Sequence, residues 1–292
     1  MTMPFYVAPE QFMKDKADFA RKNIARGRPL VGTVYDRGVL ICAENSSRSL
    51  HKVSEIYDRI AFAGVGKYNE FDQLRVSGVQ AADLKGYQFS REDVDARSLA
   101  NLYARYMGNV FTHEMKPLEV EILVAEVGPR AGEDQLFHIL YDGTVVDEEH
   151  FTALGGESDA ISDRMEHAFR AGWPLPEALT ASVAALGGGR RIGPGELEVA
   201  VLERSNGRRA FRRIVGHELA ALLGRPEERG TVGEAPAGEA PAGEAPAGEA
   251  PAGEAPAGEA PAAEAPAGEA PAGEAPAGEA PPGEAPADGN HG

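Results

Sequence analysis

The chain has 292 residues and a formal net charge of −17, with 42% hydrophobic residues, 26% charged residues and one cysteine. No apolar run approaches the ~18–20 residues that a bilayer span needs, so we expect no contact with a membrane. The single cysteine, Cys42, excludes an internal disulfide and a cysteine-based metal cluster, and is typical of the reducing cytosol. The N-terminal residues lack the apolar core and cleavage site of a signal peptide, which predicts a cytoplasmic protein.

Most of the negative charge lies in a C-terminal repeat. From Gly233 onward the unit Gly-Glu-Ala-Pro-Ala occurs eleven times, with Ala263 in place of glycine and Pro282 in place of alanine. This segment carries −12 of the −17, which leaves −5 for residues 1–232. Phosphate binding requires an excess of lysine and arginine, so this mild acidity argues against a surface dedicated to nucleic acid.

The repeat tail, residues 225–292, is predicted to be disordered. Each unit contributes a proline, a glycine, a charge and only alanine as apolar content, so little apolar surface is available to offset the entropy of ordering. We interpret the tail as a solvating appendage. The alternative is a lure for basic partners, which would make the chain an acidic-tail scaffold protein.

The first predicted element is an amphipathic helix over residues 9–26. Met13, Ala17, Ala20 and Ile24 recur on one face at helical spacing, and Gly27 with Pro29 ends the helix. We expect the basic residues to lie on the side of the helix opposite this apolar face: Lys14, Lys16, Arg21, Lys22 and Arg26.

Alternating blocks of strands and helices follow. Strands are predicted at residues 30–35, 39–43, 52–56, 59–65, 118–127, 135–141, 145–153, 196–203 and 210–215. Helices are predicted at residues 67–84, 94–113, 158–171, 176–186 and 217–223. This order is typical of a layered α+β protein in which two sheets pack face to face and a helix pair covers each outer side. The expected fold is a four-layer α-β-β-α sandwich of the N-terminal-nucleophile hydrolase type.

A series of collinear segments matches one known family. The segments are Ala8-Pro9-Glu10-Gln11, Ala20-Arg21-Lys22, Gly38-Val39-Leu40, Ala43-Glu44-Asn45, Ser54-Glu55-Ile56-Tyr57-Asp58-Arg59, Gly66-Lys67-Tyr68-Asn69-Glu70-Phe71-Asp72 and Leu197-Glu198-Val199-Ala200-Val201-Leu202. Through them the chain resembles a proteasome α subunit of the actinobacterial type. The resemblance covers residues 6–223 and none of the repeat tail.

The resemblance implies a non-catalytic subunit of a heptameric α ring that caps two β rings, α7β7β7α7. In this family the β subunits cut, and the α ring controls substrate entry, templates assembly and docks a hexameric ATPase through the C-termini of that ATPase. Substrates of related proteins carry a small ubiquitin-like tag. The implied domains are a pore segment at residues 1–8, an α-type domain at residues 9–224 and the tail at residues 225–292.

The residues themselves also argue against catalysis by this chain. A threonine hydrolase of this fold needs threonine at the mature N-terminus, where the α-amine activates the hydroxyl. The predicted first strand is preceded by Arg28, and Thr33 lies inside it. A self-processing β-like threonine hydrolase is the alternative, and it would have to lose about 27 residues and then begin with Arg28. The seven histidines are scattered, so we assign no catalytic residue, metal or cofactor.

The resemblance implies two sets of site residues. Lys52 matches a lysine that pairs with the C-terminal carboxylate of the activator ATPase, and Gly27 matches a glycine of the same pocket. The residues around the axial pore would be Met1, Thr2, Met3, Pro4, Phe5 and Tyr6. The Tyr-Asp-Arg gate motif of archaeal and eukaryotic relatives does not occur at this N-terminus, since Tyr57-Asp58-Arg59 belongs to a sheet turn.

Overall fold

The computed structural model describes residues 8–47 and 49–224, which form two sheets and the helices around them. The strands are β1 (Leu30–Tyr35), β2 (Gly38–Glu44), β3 (Val53–Tyr57), β4 (Ile60–Gly66), β5 (Val120–Glu126), β6 (Gln135–Ile139), β7 (Val145–Glu148), β8 (Phe151–Leu154), β9 (Leu197–Glu203) and β10 (Phe211–Ile214). The helices are α1 (Pro9–Ile24), α2 (Tyr68–Gln88), α3 (Ala96–His113), α4 (Ser158–Ala168), α5 (Leu175–Gly187) and α6 (Gly216–Leu222). None of these helices in the described ranges is long and apolar enough to cross a membrane.

The two sheets have five strands each, in the orders β10-β9-β2-β1-β8 and β3-β4-β5-β6-β7. Every neighbouring pair is antiparallel. Helices α4 and α5 pack on the outer face of the first sheet, and α2 and α3 pack on the outer face of the second. This arrangement is the four-layer α-β-β-α sandwich, so the predicted fold class is confirmed.

Strand β2 shows how the layers are built. Successive side chains of a strand point to opposite faces, so a strand covered on both faces is apolar at nearly every position. Val39 and Ile41 belong to the apolar cluster between the sheets, whereas Leu40 and Cys42 belong to the cluster beneath α4 and α5. Cys42 is fully buried, as expected for a side chain in this cluster.

One predicted strand, residues 145–153, was wrong. It consists of two strands, β7 and β8, which pair with β6 in the second sheet and with β1 in the first sheet. The chain therefore crosses between the sheets at Glu149 and His150, where the His150 carbonyl accepts a hydrogen bond from the Val34 amide at 2.9 Å. The segment contains no glycine or proline, so no turn signal marks the crossing in the sequence.

The predicted position of Lys16 on the side of α1 opposite the apolar face was also wrong, because this residue is buried together with Ala20 and Ile24. Its Nζ donates hydrogen bonds to the carbonyl oxygens of Phe111 at 3.0 Å and of Glu114 at 2.6 Å, at the C-terminal end of α3. A lysine ammonium at that end satisfies carbonyls that have no partner within the helix and complements the helix dipole. The long apolar stem lets the side chain lie along the helix face that also buries Ala20 and Ile24.

Helix α2 packs on the hydroxyl ends of two tyrosines. A methyl group at Gly78 would overlap the hydroxyl oxygen of Tyr103 in α3, and one at Gly86 would overlap that of Tyr57 in β3. The Tyr103 hydroxyl is buried and has no hydrogen-bond partner among the described residues. Glycine at position 78 is therefore required by the distance between α2 and α3.

We expect Gly78→Ala to lower the free energy of unfolding by about 1 kcal/mol. Overpacking costs about 1–3 kcal/mol, which exceeds the ~1 kcal/mol that alanine gains over glycine inside a helix. Urea unfolding followed by circular dichroism measures the change. Gly195→Ala is the matched control, because a methyl group there meets open space.

The double variant Gly78→Ala, Tyr103→Phe separates this clash from other effects of the alanine. Removing the hydroxyl oxygen takes away the overlapping atom, so we expect part of the lost stability to return. A Gly78→Ala chain as stable as the unaltered one, or a double variant without recovery, would contradict the close contact between α2 and α3.

Candidate functional site

Lys52 directly precedes β3, at the end of the loop that leads from the first sheet to the second. Its Nζ donates a hydrogen bond to the carbonyl oxygen of Arg28. Arg28 lies in the linker between α1 and β1, next to Gly27. The structure therefore brings Lys52 and Gly27, the two predicted pocket residues, to the same end of the sheets. The hydrogen bond from Lys52 to the Arg28 carbonyl connects the two segments.

A cavity of about 180 Å³ lies beside Lys52. Its lining residues are Asn45, Ser47, Leu50, Lys52, Gly64, Gly66, Tyr68 and Phe71. Gly27 does not line the cavity directly, but a Cβ atom at this position would lie 3.3 Å from the Gly66 amide nitrogen. An ammonium group beside apolar walls can bind a small anionic group that is attached to an apolar side chain.

Burial lowers the pKa of the Lys52 ammonium to about 8, and the nearby Arg28 guanidinium also lowers it. The carboxylates of Glu44 and Glu198 act in the opposite direction. A further carboxylate placed against the ammonium would favour its charged form. Lys52 is therefore a cation whose charge is incompletely compensated and depends on its neighbours.

Glu44 ends β2 and is nearly buried. Its Oε2 accepts a hydrogen bond from Arg190 at 2.7 Å, and its Oε1 lies 3.5 Å from the Arg28 guanidinium. Arg190 belongs to the loop after α5. Because two arginines hold this carboxylate, it anchors the linker from α1 and the loop from α5 to the end of β2.

Glu198 near the start of β9 is a second nearly buried carboxylate, with a side chain that is 9% exposed. Its Oε2 accepts hydrogen bonds from the backbone amide of Lys52 and from the side chain of Asn45, both at 2.8 Å. Its Oε1 accepts from the Val53 amide at 3.3 Å and from Arg213 at 2.5 Å. In the sequence, only the charge near the start of an apolar strand distinguishes this residue.

Gly27 is required by packing. A methyl group there would overlap the Cγ1 atom of Val65, which also lies 2.9 Å from the Cβ position of Gly155. The Gly27 carbonyl accepts a hydrogen bond from the Gly156 amide at 3.2 Å. Val65 thus fills a notch between two glycines, and the linker after α1 approaches β4 and the end of β8 closely.

Thr33 lies in the interior of β1 and is fully buried. Its hydroxyl donates a hydrogen bond to the His150 carbonyl at 3.2 Å. Catalysis by threonine in this fold requires a free α-amine at the same residue, whereas the Thr33 nitrogen forms a peptide bond with Gly32 in the middle of the strand. Thr33 therefore does not meet the requirement for the nucleophile of a self-processing hydrolase.

Several predicted regions lie outside the described residues. These are residues 1–7, Arg48 and the tail at residues 225–292. All six predicted pore residues fall within residues 1–7. Within residues 8–47 and 49–224, no group of three or more histidine, cysteine or acidic side chains is arranged to hold a metal ion.

Comparison with known proteins identifies the family. The Proteasome family, described as "Proteasome subunit", matches residues 24–202, which is more than half of the chain. The chain is 64% identical over 225 residues to a "Proteasome subunit alpha" of Acidimicrobium ferrooxidans, covering 77% of this chain and 97% of the relative. It is 54% identical to proteins of the same name from Xylanimonas cellulosilytica, covering 79% and 99% of the two chains, and from Kineococcus radiotolerans, covering 76% and 98%.

Members of this family assemble into rings of α and β subunits, and the α type forms a ring without catalytic activity of its own. These matches cover nearly the whole length of each relative, and more than half of the aligned residues are identical. The two-sheet sandwich agrees with the family's fold. The chain therefore belongs to the proteasome subunit family, as an α subunit of the actinobacterial type.

Proposed function

We propose that this chain forms a homoheptameric outer ring of a cytoplasmic proteasome core, α7β7β7α7, and docks a hexameric ATPase through the Lys52 cavity. The ring would template assembly with catalytic β subunits and would control the entry of proteins carrying a small ubiquitin-like tag. The observation that carries the docking proposal is the Lys52 ammonium, which is partly buried beside an apolar cavity and, among the residues that the structure describes, donates its hydrogen bond to a neutral carbonyl oxygen.

The docking step is supported by comparing the present acceptor, the neutral carbonyl oxygen of Arg28, with a charged carboxylate in its place. Hydrogen bonds to charged groups contribute about 1.5–3 kcal/mol, against about 1 kcal/mol for neutral pairs. A C-terminal carboxylate is therefore a better partner for Lys52 than the carbonyl of Arg28. Seven such cavities around a ring would convert a weak contact into strong binding of a hexamer by avidity.

The position of α1 supports a gate formed by the preceding residues. Helix α1 begins at Pro9, directly after the predicted pore segment. Ala20, Ile24 and the buried Lys16 fix this helix against Phe111 and Tyr141. The pore segment is therefore attached to a helix whose position is set by packing and by an internal hydrogen bond.

We expect Lys52→Ala to reduce ATP-dependent degradation of a tagged protein by at least about tenfold, because 1.4 kcal/mol of lost contact energy is a factor of ten at each cavity. The measurement uses core particles reassembled with the β subunit and the ATPase. Lys85→Ala is the matched control. Lys85 does not line the cavity, and its ammonium lies 2.7 Å from the Asp95 carboxylate.

Hydrolysis of a short fluorogenic peptide without ATPase shows whether Lys52→Ala has damaged the core. We expect this activity to stay within about twofold of the unaltered particle, because Lys52 is only partly buried and belongs to none of the apolar core clusters. Unchanged ATP-dependent degradation by assembled Lys52→Ala particles would overturn the docking proposal.

Deletion of residues 2–7 tests the gate. We expect ATPase-independent hydrolysis of a nonapeptide to rise severalfold, because the apolar side chains of Met3, Phe5 and Tyr6 no longer obstruct the pore. Hydrolysis of a dipeptide substrate serves as the control for the catalytic sites. An assembled particle with an unchanged ratio of the two rates would contradict gating by this segment.

A further inference from the structure

Glu198 connects the two sheets at the Lys52 cavity. It lies on β9 of the first sheet. Its carboxylate accepts hydrogen bonds from the backbone amides of Lys52 and Val53, which lie at the start of β3 in the second sheet. The Asn45 side chain, at the start of the loop between the sheets, bonds to the same carboxylate. One side chain thus holds both ends of the loop from residue 45 to residue 52.

The acceptor capacity of this carboxylate is fully used. A carboxylate offers about four lone-pair sites, and Glu198 accepts from four donor groups while the His51 Nδ1 atom lies 3.2 Å from its Oε1. Arg213 also donates to the carbonyl oxygen of Val53 at 2.5 Å, which ties β10 to the same strand end. The backbone at Lys52 therefore has little freedom to shift.

We propose that Glu198 is a positioning residue that holds Lys52 in place to receive the C-terminal carboxylate of an activator peptide. This inference rests on the proposed docking function of Lys52. It assigns to Glu198 a role that acts through Lys52, without contact to the peptide itself.

The charge of Glu198 gives this role a measurable signature. The groups that act on the pKa of Lys52 are Arg28 in the α1–β1 linker, Glu44 on β2 and Glu198 on β9, and Tyr68 of α2 lines the same cavity. The Glu198 carboxylate raises this pKa, whereas burial and Arg28 lower it to about 8. Loss of the carboxylate therefore lowers the pKa further and reduces the charged fraction of Lys52 most strongly at alkaline pH.

A merely structural carboxylate would behave differently. Loosening of the loop would weaken peptide binding by the same factor at every pH. Loss of the Glu198 charge adds a second effect that is small at pH 6.5, where Lys52 is charged with or without it, and large at pH 8.5. The pH dependence of binding thus separates the two roles.

The test measures binding of a fluorescein-labelled peptide with the last eight residues of the cognate ATPase to intact core particles, by anisotropy at pH 6.5 and 8.5. The same peptide with an amidated C-terminus shows the share of binding that depends on the free carboxylate. The variants are Glu198→Gln, which keeps the side-chain volume, Lys52→Ala and the control Glu203→Gln. Glu203 lies at the other end of β9 and is paired with Arg37 at 2.9 Å, and its side chain is 11% exposed, against 9% for Glu198.

We expect Glu198→Gln to weaken binding of the free-carboxylate peptide by a factor about two- to threefold larger at pH 8.5 than at pH 6.5. Glu203→Gln should leave binding at both pH values within about twofold. A histidine also changes charge between pH 5 and 8, so the series is repeated with His51→Gln in the background, and the pH dependence should persist.

Three results would overturn the proposal. Glu198→Gln particles could bind the peptide as tightly as unaltered particles, or lose the same affinity at both pH values. Alternatively, Glu203→Gln could weaken binding as much as Glu198→Gln does. If Lys52→Ala binds the free-carboxylate peptide as tightly as the unaltered particle does, the docking function itself fails. If Lys52→Ala weakens binding and Glu198→Gln does not, only the role of Glu198 fails. Native electrophoresis and basal peptide hydrolysis confirm that each variant is assembled.

Discussion

Burial of both faces of both sheets is the constraint on which the rest of this structure depends. Each sheet packs on the other and on a helix pair, so most strand positions must be apolar and the chemistry moves to the strand ends and loops. The close packing also sets the shape of the linker after α1. Val65 occupies the space beside Gly27 and Gly155, and no side chain fits at Gly27. The same dense core therefore determines where the loops around Lys52 can run.

The linker between α1 and β1 joins the parts of the molecule to which we assign function. Lys52 holds the carbonyl of Arg28, Glu44 holds its guanidinium, and the Gly156 amide holds the carbonyl of Gly27. The helix that precedes this linker carries the residues proposed as the gate at its other end. A ligand that takes Lys52 away from Arg28 would remove one of the contacts that fix this linker, so the proposed docking cavity and the proposed gate would be connected through one continuous segment.

The order of strands and helices was predictable because the strands form short apolar runs and most helices carry an apolar face, and both covered sheets follow from that order. The crossing at Glu149 and His150 was not predictable, since the turn there contains no glycine or proline and both flanking segments favour strands. Lys16 was misplaced because its charge argued against the apolar face of α1, whereas its stem is long enough for the ammonium to reach carbonyls at the end of α3. Lys52 and Gly27 were found only through resemblance. Glu198 and Arg190 act over more than a hundred residues of sequence separation, which no local pattern reveals.

Native mass spectrometry of this chain, purified together with the β subunit of the same organism, tests most directly whether it forms a proteasome α ring. We expect a particle that contains fourteen copies of this chain in two rings and a second, smaller subunit, with the N-terminal helix α1 retained in this chain. A monomer, an assembly without a second subunit, or a chain cleaved after residue 27 or within β1 would contradict the account.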